Sequence, residues 1–252
     1  MTTPPSEISP ALAHRLEGVR AVLFDLDGTL LDTIELILTS FRHATKEVLG
    51  SALPDEVLTR NIGIPLRVQM REFSDDPGEA DEMLRIYREH NGEIHDAMVA
   101  AFPGVRVMLD GVAGLGLPMG VVTSKSRPLA LRGLEITGLA AYFDALVTSD
   151  DTEIHKPDPY PLNVAADALG VQLRYCVYVG DSPHDVRAAV DGGAVAVAAT
   201  WGVADDPELL TEGPDIVLDS VAQILPLLSR TIRDDGRSAT EQSPPTPSEN
   251  GA

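Results

Sequence analysis

The sequence predicts an α/β fold: a parallel β-sheet with helices on both faces, into which a separate helical segment is inserted. Short apolar runs alternate with helical patterns over most of the 252 residues. This alternation is typical of a parallel sheet whose strands are connected by helices. Between the first and second predicted strands, residues 33–101 have helical patterns alone. With 44% hydrophobic residues, the chain can bury a core for this architecture.

Six runs are predicted as strands because each is short, largely apolar and contains valine, which favours extended backbone. They comprise residues 19–24, 119–123, 145–148, 176–179, 195–198 and 216–218. Apolar runs without polar alternation are typical of strands that are buried on both faces, as in a parallel sheet. We therefore expect all six strands to belong to one sheet.

The inserted segment is predicted to contain four helices, over residues 34–49, 56–61, 66–73 and 79–100. Pro54, residues 63–65 and residues 77–78 separate them, because proline and glycine disfavour a continued helix. The insertion divides the chain into a discontinuous α/β core, residues 19–32 and 102–233, and a helical domain, residues 33–101.

The two termini are predicted to lie outside these domains. Residues 1–18 form an N-terminal extension with a short helix over residues 11–17. Residues 234–252 are rich in proline, serine and glutamate and contain almost no large apolar side chains. Such a composition cannot bury a core, so we expect this tail to be disordered.

The overall charge excludes several classes of partner. The chain has 39 acidic and 19 basic residues and a formal net charge of −20. Without a basic surface it is not expected to bind nucleic acid or an anionic membrane.

A single cysteine, Cys176, excludes an internal disulfide, and no apolar stretch has the length of a membrane span. We expect a cytoplasmic protein; nothing in the sequence indicates its oligomeric state.

The first predicted strand ends in two carboxylates. Residues 21–30 read AVLFDLDGTL, so Asp25 and Asp27 are two positions apart and are followed by Gly28 and Thr29. Side chains alternate along a strand, so two residues at this spacing share a face. Glycine permits a tight turn, and the threonine hydroxyl can donate to an anion. The sequence therefore predicts a site for a metal ion and an anionic substrate at this strand end.

Polar groups also follow three later strands. Thr123 and Ser124 end the second strand, Lys156 lies directly before a proline, and Asp181 and Asp185 follow Gly180 four positions apart. In open α/β sheets ligands bind at the carboxyl ends of the strands. We expect these side chains to lie close to the first pair of carboxylates.

These motifs, DxDGT, then T/S, K-P and GDxxxD in this order, resemble those of the haloacid dehalogenase superfamily of phosphohydrolases. The resemblance covers residues 20–228 and includes the helical insertion, which corresponds to the helical cap of that family. It implies a Rossmann-like three-layer core, Mg²⁺ as cofactor and hydrolysis through an aspartyl-phosphate intermediate. A dehalogenase is not expected, because those enzymes lack the second aspartate and Asp27 is present here.

The resemblance also implies a role for each motif residue. Asp25 is the expected nucleophile and a metal ligand, and Asp27 the general acid and base, whose backbone carbonyl also binds the metal. Asp181 is a direct metal ligand and Asp185 a direct or water-mediated one. Thr123, Ser124 and Lys156 are expected to contact the phosphate of the substrate.

Three basic residues outside the motifs are further candidates. Arg67 begins a helix after the break at residues 63–65 and can bind an anionic leaving group. Alternatively, Arg67 belongs to the charged face of this helix and has no role toward the substrate. Lys125 and Arg127 follow the hydroxyl motif, where they either contact substrate or begin a solvated helix.

The function that fits best is a Mg²⁺-dependent phosphatase acting on a small phosphorylated metabolite similar to phosphoglycolate, or on pyrophosphate. One alternative is a phosphomutase of the β-phosphoglucomutase type, although those enzymes usually carry an aliphatic residue where this chain has Thr29. The other is a catalytically silent relative that only binds. An assay with p-nitrophenyl phosphate and Mg²⁺ separates this last alternative from the two enzymes.

Overall fold

The computed structural model of the protein describes residues 9–60, 62–203 and 207–232. The tail predicted to be disordered, residues 234–252, lies outside the described residues. So do the first eight residues of the N-terminal extension, Asn61 at the end of a predicted helix, and the last residue of the predicted core, Arg233.

The centre of the molecule is a six-stranded parallel sheet, as the apolar runs predict. In chain order the strands of the protein are β1 (Ala21–Phe24), β2 (Leu31–Asp32), β3 (Ala100–Ala101), β4 (Met119–Val122), β5 (Ala145–Val147), β6 (Cys176–Gly180), β7 (Val195–Ala199) and β8 (Ile216–Leu218). The order across the sheet is β5-β4-β1-β6-β7-β8. Strand β1 is therefore central, with Phe24 level with Val121 on one side and Val179 on the other.

Both faces of this sheet are covered by helices, which gives the predicted three layers. Alternate residues of β1 point to opposite faces: Val22 and Phe24 belong to one apolar cluster, Ala21 and Leu23 to another. The helices in chain order are α1 (Pro10–Glu17), α2 (Ile34–Leu49), α3 (Asp55–Thr59), α4 (Leu66–Phe73), α5 (Pro77–Met98), α6 (Val105–Gly114), α7 (Arg127–Ile136), α8 (Tyr160–Ala168), α9 (Pro183–Gly192), α10 (Pro207–Thr211) and α11 (Ile224–Ile232). Helices α8 and α9 cover the face of Leu23, whereas α1, α6, α7 and α11 cover the face of Phe24.

Helices α2 to α5 pack around an apolar cluster of their own. Phe41, Leu58, Met70 and Met83 are buried in it at 1% exposure or less. The two strands of a short antiparallel ribbon, β2 and β3, connect this helical unit to the sheet. The sequence predicted a helix as far as residue 100, but α5 ends at Met98 and the next residues pair with β2. The division of the chain at residues 33 and 101 stays a prediction.

The helical unit is fastened to the core near the end of α5. The guanidinium of Arg132, on α7, donates from Nη1 to the carbonyl of Gly92 at 3.2 Å. Its Nε lies 2.7 Å from the carboxylate of Asp96. These contacts hold α5 against α7 of the core. The helical unit lies over the carboxyl edge of the sheet, where residues of both line one cavity. None of the helices in the described part of the chain has the length and apolarity needed to cross a membrane.

We predict that Met83→Ala destabilises the protein through the helical unit. Met83 is fully buried on α5, and its truncation leaves a cavity that costs about 2–5 kcal/mol of unfolding free energy. Urea denaturation followed by circular dichroism measures the change. Glu93→Ala is the matched control, because Glu93 is exposed on the same helix and should change stability by less than about 0.5 kcal/mol. Equal stability of the two variants would contradict the packing described above.

Candidate active site

The predicted site residues meet at the carboxyl edge of the sheet, where β1, β4 and β6 end side by side. A cavity of about 280 Å³ opens between this edge and the helical unit. The core contributes mainly polar side chains to its wall and the helical unit mainly apolar ones. They include Asp25, Asp27, Thr123, Ser124, Lys125 and Asp181 from the core, and Ile37, Phe41, Leu66, Arg67, Tyr87 and Arg88 from the helical unit.

The ammonium group of Lys156 joins two of the predicted carboxylates. Nζ donates to Asp25 Oδ1 at 2.9 Å and also to Asp185 Oδ1. All three side chains are at least nine-tenths buried. Asp25 follows β1 directly, Asp185 lies in the first turn of α9, and Lys156 comes from the loop after β5. The ion pairs therefore bring together three separate parts of the chain.

Asp185 is held through both of its carboxylate oxygens. Oδ2 accepts from the backbone N–H of Ser182 at 3.1 Å and from the Ser182 hydroxyl, which forms a capping box at the start of α9. Oδ1 lies 2.8 Å from the Tyr178 hydroxyl, in addition to its contact with Lys156. Because each of its oxygens already has two partners, Asp185 is better placed to support a metal ligand than to be the principal one.

Asp181 is positioned by backbone that approaches it very closely. Its Oδ1 accepts from the Thr29 hydroxyl at 3.0 Å, and its Oδ2 accepts from the backbone N–H of Val203 at 3.0 Å. A Cβ atom at Gly28 or Gly202 would lie within 2.2 Å of this carboxylate. Gly28 also has φ +83°, which disfavours other residues. These glycines allow the backbone to enclose the Asp181 side chain.

The site contains more negative charge than its lysine neutralises. Burial, together with the charges of Asp185 and Asp181, raises the pKa of Asp25 well above its usual range, although Lys156 opposes the shift. Burial and the charge of Asp185 also raise the pKa of Asp181 to about 7. Burial alone would lower the pKa of Lys156, but the two carboxylates it contacts outweigh burial and raise it. Lys156 alone therefore does not neutralise the buried carboxylates of Asp25, Asp181 and Asp185.

This donor set fits a hard divalent cation. Asp25, Asp181 and Asp185 each offer an oxygen, and the three atoms lie within 4.8 Å of one another. Carboxylate oxygens are the ligands that Mg²⁺ prefers, and a cation at this point would oppose both the burial and the repulsion that raise the pKa values of Asp25 and Asp181. The carboxylate of Asp27 is not part of this group.

Asp27 instead faces the cavity and makes its own contacts. Its Oδ1 accepts from the Thr33 hydroxyl at 2.6 Å. Lys125 Nζ lies 2.7 Å from the same oxygen and 3.0 Å from Oδ2. The Asp27 side chain is 15% exposed, more than that of Asp25 at 7%. Both aspartates of the first motif line the cavity, but only Asp25 belongs to the charge cluster, the buried group of Asp25, Lys156, Asp181 and Asp185.

The two hydroxyls after β4 point to different partners. Thr123 is 5% exposed, and its Oγ1 accepts from the backbone N–H of Lys125 at 3.2 Å. Ser124, which the sequence suggested as a substrate contact, donates from Oγ to the carbonyl of Gly63 at 2.5 Å. Gly63 belongs to the helical unit, so this serine connects the core with the loop that covers the cavity.

Arg67 lines the cavity as expected, but its guanidinium is paired within the helical unit. Nη1 donates to Asp81 Oδ1 at 2.9 Å, and both side chains are more than half exposed. Arg127, the other basic candidate beside Lys125, pairs with Asp151 at the start of α7. The role of Arg67 toward a leaving group stays a prediction.

Sequence reasoning missed Tyr178, and it missed the contact between Lys125 and Asp27. The Tyr178 hydroxyl lies among Lys156, Asp185 and Val122; a lone hydroxyl on an otherwise apolar strand, two residues before Gly180, was the available signal. Lys125 was predicted either to contact substrate or to begin a solvated helix, and its contact with Asp27 spans a sequence separation of 98 residues. Only the folded sheet brings that pair together.

Comparison with known proteins agrees with this geometry. The family model described as haloacid dehalogenase-like hydrolase matches residues 22–199. A protein named pyrophosphatase PpaX from Bacillus velezensis is 37% identical over 208 residues, which cover 82% of this chain and 95% of that protein. The protein of the same name from Oceanobacillus iheyensis is 34% identical over 211 residues, 84% of this chain and 97% of that protein.

Solved structures share the fold. A crystal structure described as a predicted phosphoglycolate phosphatase from Haemophilus somnus has a TM-score of 0.77 at 24% identity, and covers 83% of this chain and 98% of that chain. β-Phosphoglucomutase from Clostridium difficile has a TM-score of 0.73 at 18% identity, and covers 87% and 100%. At these identities the likeness shows the α/β fold alone. The family match and the PpaX relatives carry the assignment: the chain belongs to the haloacid dehalogenase-like hydrolases and is a phosphatase.

Proposed function

We propose that the protein is a Mg²⁺-dependent phosphatase that hydrolyses a small phosphorylated substrate through a phosphoryl group carried on Asp25. The observation that carries this proposal is the placement of two aspartates on one strand end. Asp25 is fixed by Lys156 inside the charge cluster, and Asp27 stands beside it at the cavity wall. A nucleophile and a proton donor are thereby offered to one substrate.

Asp25 is suited to attack phosphorus. Among the described residues, Lys156 donates to its Oδ1, which leaves Oδ2 as the oxygen that forms the new O–P bond. The ammonium group also neutralises charge that would repel a phosphate. A carboxylate held in one orientation lowers the activation barrier of phosphoryl transfer, because its oxygen is kept in line with the phosphorus and the leaving oxygen.

Asp27 is suited to move the proton. It donates a proton to the oxygen of the leaving group when the substrate O–P bond breaks. It then takes a proton from the water that attacks the phosphoaspartate, which releases phosphate and restores Asp25. Its position at the cavity wall, in contact with Thr33 and Lys125, leaves it accessible to both the leaving group and water.

Asp25, Asp181 and Asp185, with the backbone carbonyl of Asp27 that the family resemblance implies, would hold the metal ion. When bound, Mg²⁺ neutralises charge on the nucleophile and on the phosphate oxygens. Thr29 supports this assignment, because its hydroxyl fixes the Asp181 carboxylate.

Pyrophosphate is the first substrate to test. The support is the PpaX name of relatives that are 34% and 37% identical over most of both chains. Phosphoglycolate is the second, because its leaving group is also a small anion. A mutase would return the phosphoryl group to a sugar phosphate rather than to water, so isomerisation of a hexose phosphate without phosphate release would favour that alternative.

We predict that Asp25→Asn abolishes turnover and leaves the fold intact. The amide has the same shape but lacks the charge that makes the carboxylate a nucleophile. Release of phosphate from pyrophosphate, phosphoglycolate and p-nitrophenyl phosphate measures the loss. Asp144→Asn is the control, since Asp144 is an exposed carboxylate at the other end of the sheet and should keep wild-type rates. Wild-type turnover by Asp25→Asn would refute the proposed nucleophile.

Removal of metal should abolish activity. With EDTA we expect no phosphate release, and with added Mg²⁺ full recovery, because the buried carboxylates lack positive charge without it. Mg²⁺ should also raise the Tm of the wild-type protein, since a ligand that binds the folded state stabilises it. Asp181→Asn should lose most of this Tm response. Full activity in EDTA, or an unchanged Tm response in the variant, would contradict the metal site.

The Tyr178 hydroxyl should stabilise the ion pairs that aim Asp25. It accepts from Lys156 at 3.0 Å and lies 2.8 Å from Asp185. Hydrogen bonds to charged groups contribute about 1.5–3 kcal/mol, so Tyr178→Phe should lower the free energy of unfolding in EDTA by about that amount. Tyr175→Phe is the control, because the Tyr175 ring contacts two arginines through its face. A loss shared equally by both variants would argue against this role.

A further inference from the structure

We propose that Lys125 binds the negative charge of the leaving group and thereby selects substrates whose leaving group is an anion. This inference rests on the proposed function, in which Asp27 protonates the leaving oxygen. It assigns the specificity for a second anionic group to the core of the protein rather than to Arg67 of the helical unit.

The position of Lys125 follows from the end of β4. Its backbone N–H donates to the Thr123 hydroxyl, and its side chain runs along the cavity wall to Asp27. Nζ lies 2.7 Å and 3.0 Å from the two Asp27 oxygens. The Lys125 side chain is 9% exposed, so the ammonium group is largely removed from bulk water.

Contact with Asp27 places this cation beside the leaving group. The leaving oxygen must come within hydrogen-bond distance of the Asp27 carboxylate to receive its proton. Lys125 is already within that distance of the same carboxylate. An ammonium group has three donors, and the two Asp27 oxygens leave one of them for a further acceptor. A carboxylate or phosphate carried by the leaving group can supply that acceptor.

The other cations near the cavity are less suited to this task. Lys156 is surrounded by Asp25, Asp185, Tyr178 and Val122. Arg67 is 54% exposed and paired with Asp81, and Arg88 is exposed on α5. Water screens exposed charges, whereas a charge in a closed site interacts more strongly. Of the lysine and arginine side chains that line the cavity in the described part of the chain, Lys125 is therefore the strongest candidate.

A neutral leaving group would gain little from Lys125. It offers no charge to the third donor, so Lys125 gains no anionic contact from the substrate. An anionic leaving group gains a charged hydrogen bond, a difference of roughly ten- to a hundred-fold in kcat/KM. The chain carries a net charge of −20, which makes a local cation more important for such a substrate.

Two substrates of nearly equal size test this difference: phosphoglycolate, and 2-hydroxyethyl phosphate, in which a hydroxymethyl group replaces the carboxylate. We expect Lys125→Met to lower kcat/KM for phosphoglycolate, and for pyrophosphate, at least ten-fold more than for 2-hydroxyethyl phosphate. Lys125→Arg should keep most of the preference, because it keeps the charge. Arg67→Met is the matched control in the helical unit and should change the preference less than three-fold.

A second measurement separates binding from catalysis. In the Asp25→Asn background, which cannot turn over, calorimetry with Mg²⁺ present gives the Kd of both phosphate esters. Lys125→Met should weaken phosphoglycolate at least ten-fold and 2-hydroxyethyl phosphate much less. The Tm of each variant shows whether it is folded, and Lys125→Arg provides the folded comparison if the methionine variant is not.

Three results would overturn the inference: equal losses on the two esters in the Lys125 variants, equal Kd changes in the Asp25→Asn background, or loss of the preference in Arg67→Met instead. The first would make Lys125 a positioning residue for Asp27. If the wild-type protein hydrolyses none of the three substrates, the proposed function fails, whereas the Kd measurement still decides the role of Lys125.

Discussion

The site depends on one buried ammonium group. Lys156 lies between Asp25 and Asp185, and its charge is what allows two aspartates to remain together away from water. Burying a charge without a partner costs several kcal/mol, so loss of the lysine would leave both carboxylates uncompensated. The same contact determines the direction of the Asp25 carboxylate. Lys156 thus both stabilises this edge of the sheet and orients the carboxylate that we propose as the nucleophile.

This arrangement leaves the buried site with more carboxylates than Lys156 can neutralise. Asp181 adds a third carboxylate, and burial together with its neighbours raises its pKa to about 7. We propose that a divalent cation supplies the missing positive charge. At the cavity wall, Lys125 stands against Asp27 in a second, smaller pair. Under the proposed function, Lys156 would serve the nucleophile and Lys125 the leaving group, which would suit a substrate with anions at both ends.

Most of the sheet was predictable because its strands are apolar on both faces and punctuated by turns. The six strands have the predicted positions within two residues, and the motif carboxylates lie at their carboxyl ends. The β2–β3 ribbon was not predicted, since two-residue strands carry no period. The contacts of Ser124 with Gly63, and of Lys125 with Asp27, depend on how the helical unit sits and where side chains point. A single sequence contains no signal for either.

The central claim, that Asp25 carries the phosphoryl group, is tested most directly by trapping it. Asp27→Asn is mixed with p-nitrophenyl phosphate and Mg²⁺, because p-nitrophenolate leaves without a proton whereas the phosphoaspartate still needs a base to be hydrolysed. If Asp25 carries the phosphoryl group, we expect a burst of about one p-nitrophenolate per protein molecule, then slow turnover. After acid quench, peptide mass spectrometry should find the phosphate on Asp25. Phosphate on another residue, or steady wild-type turnover without a phosphorylated peptide, would rule out Asp25 as the residue that carries the phosphoryl group.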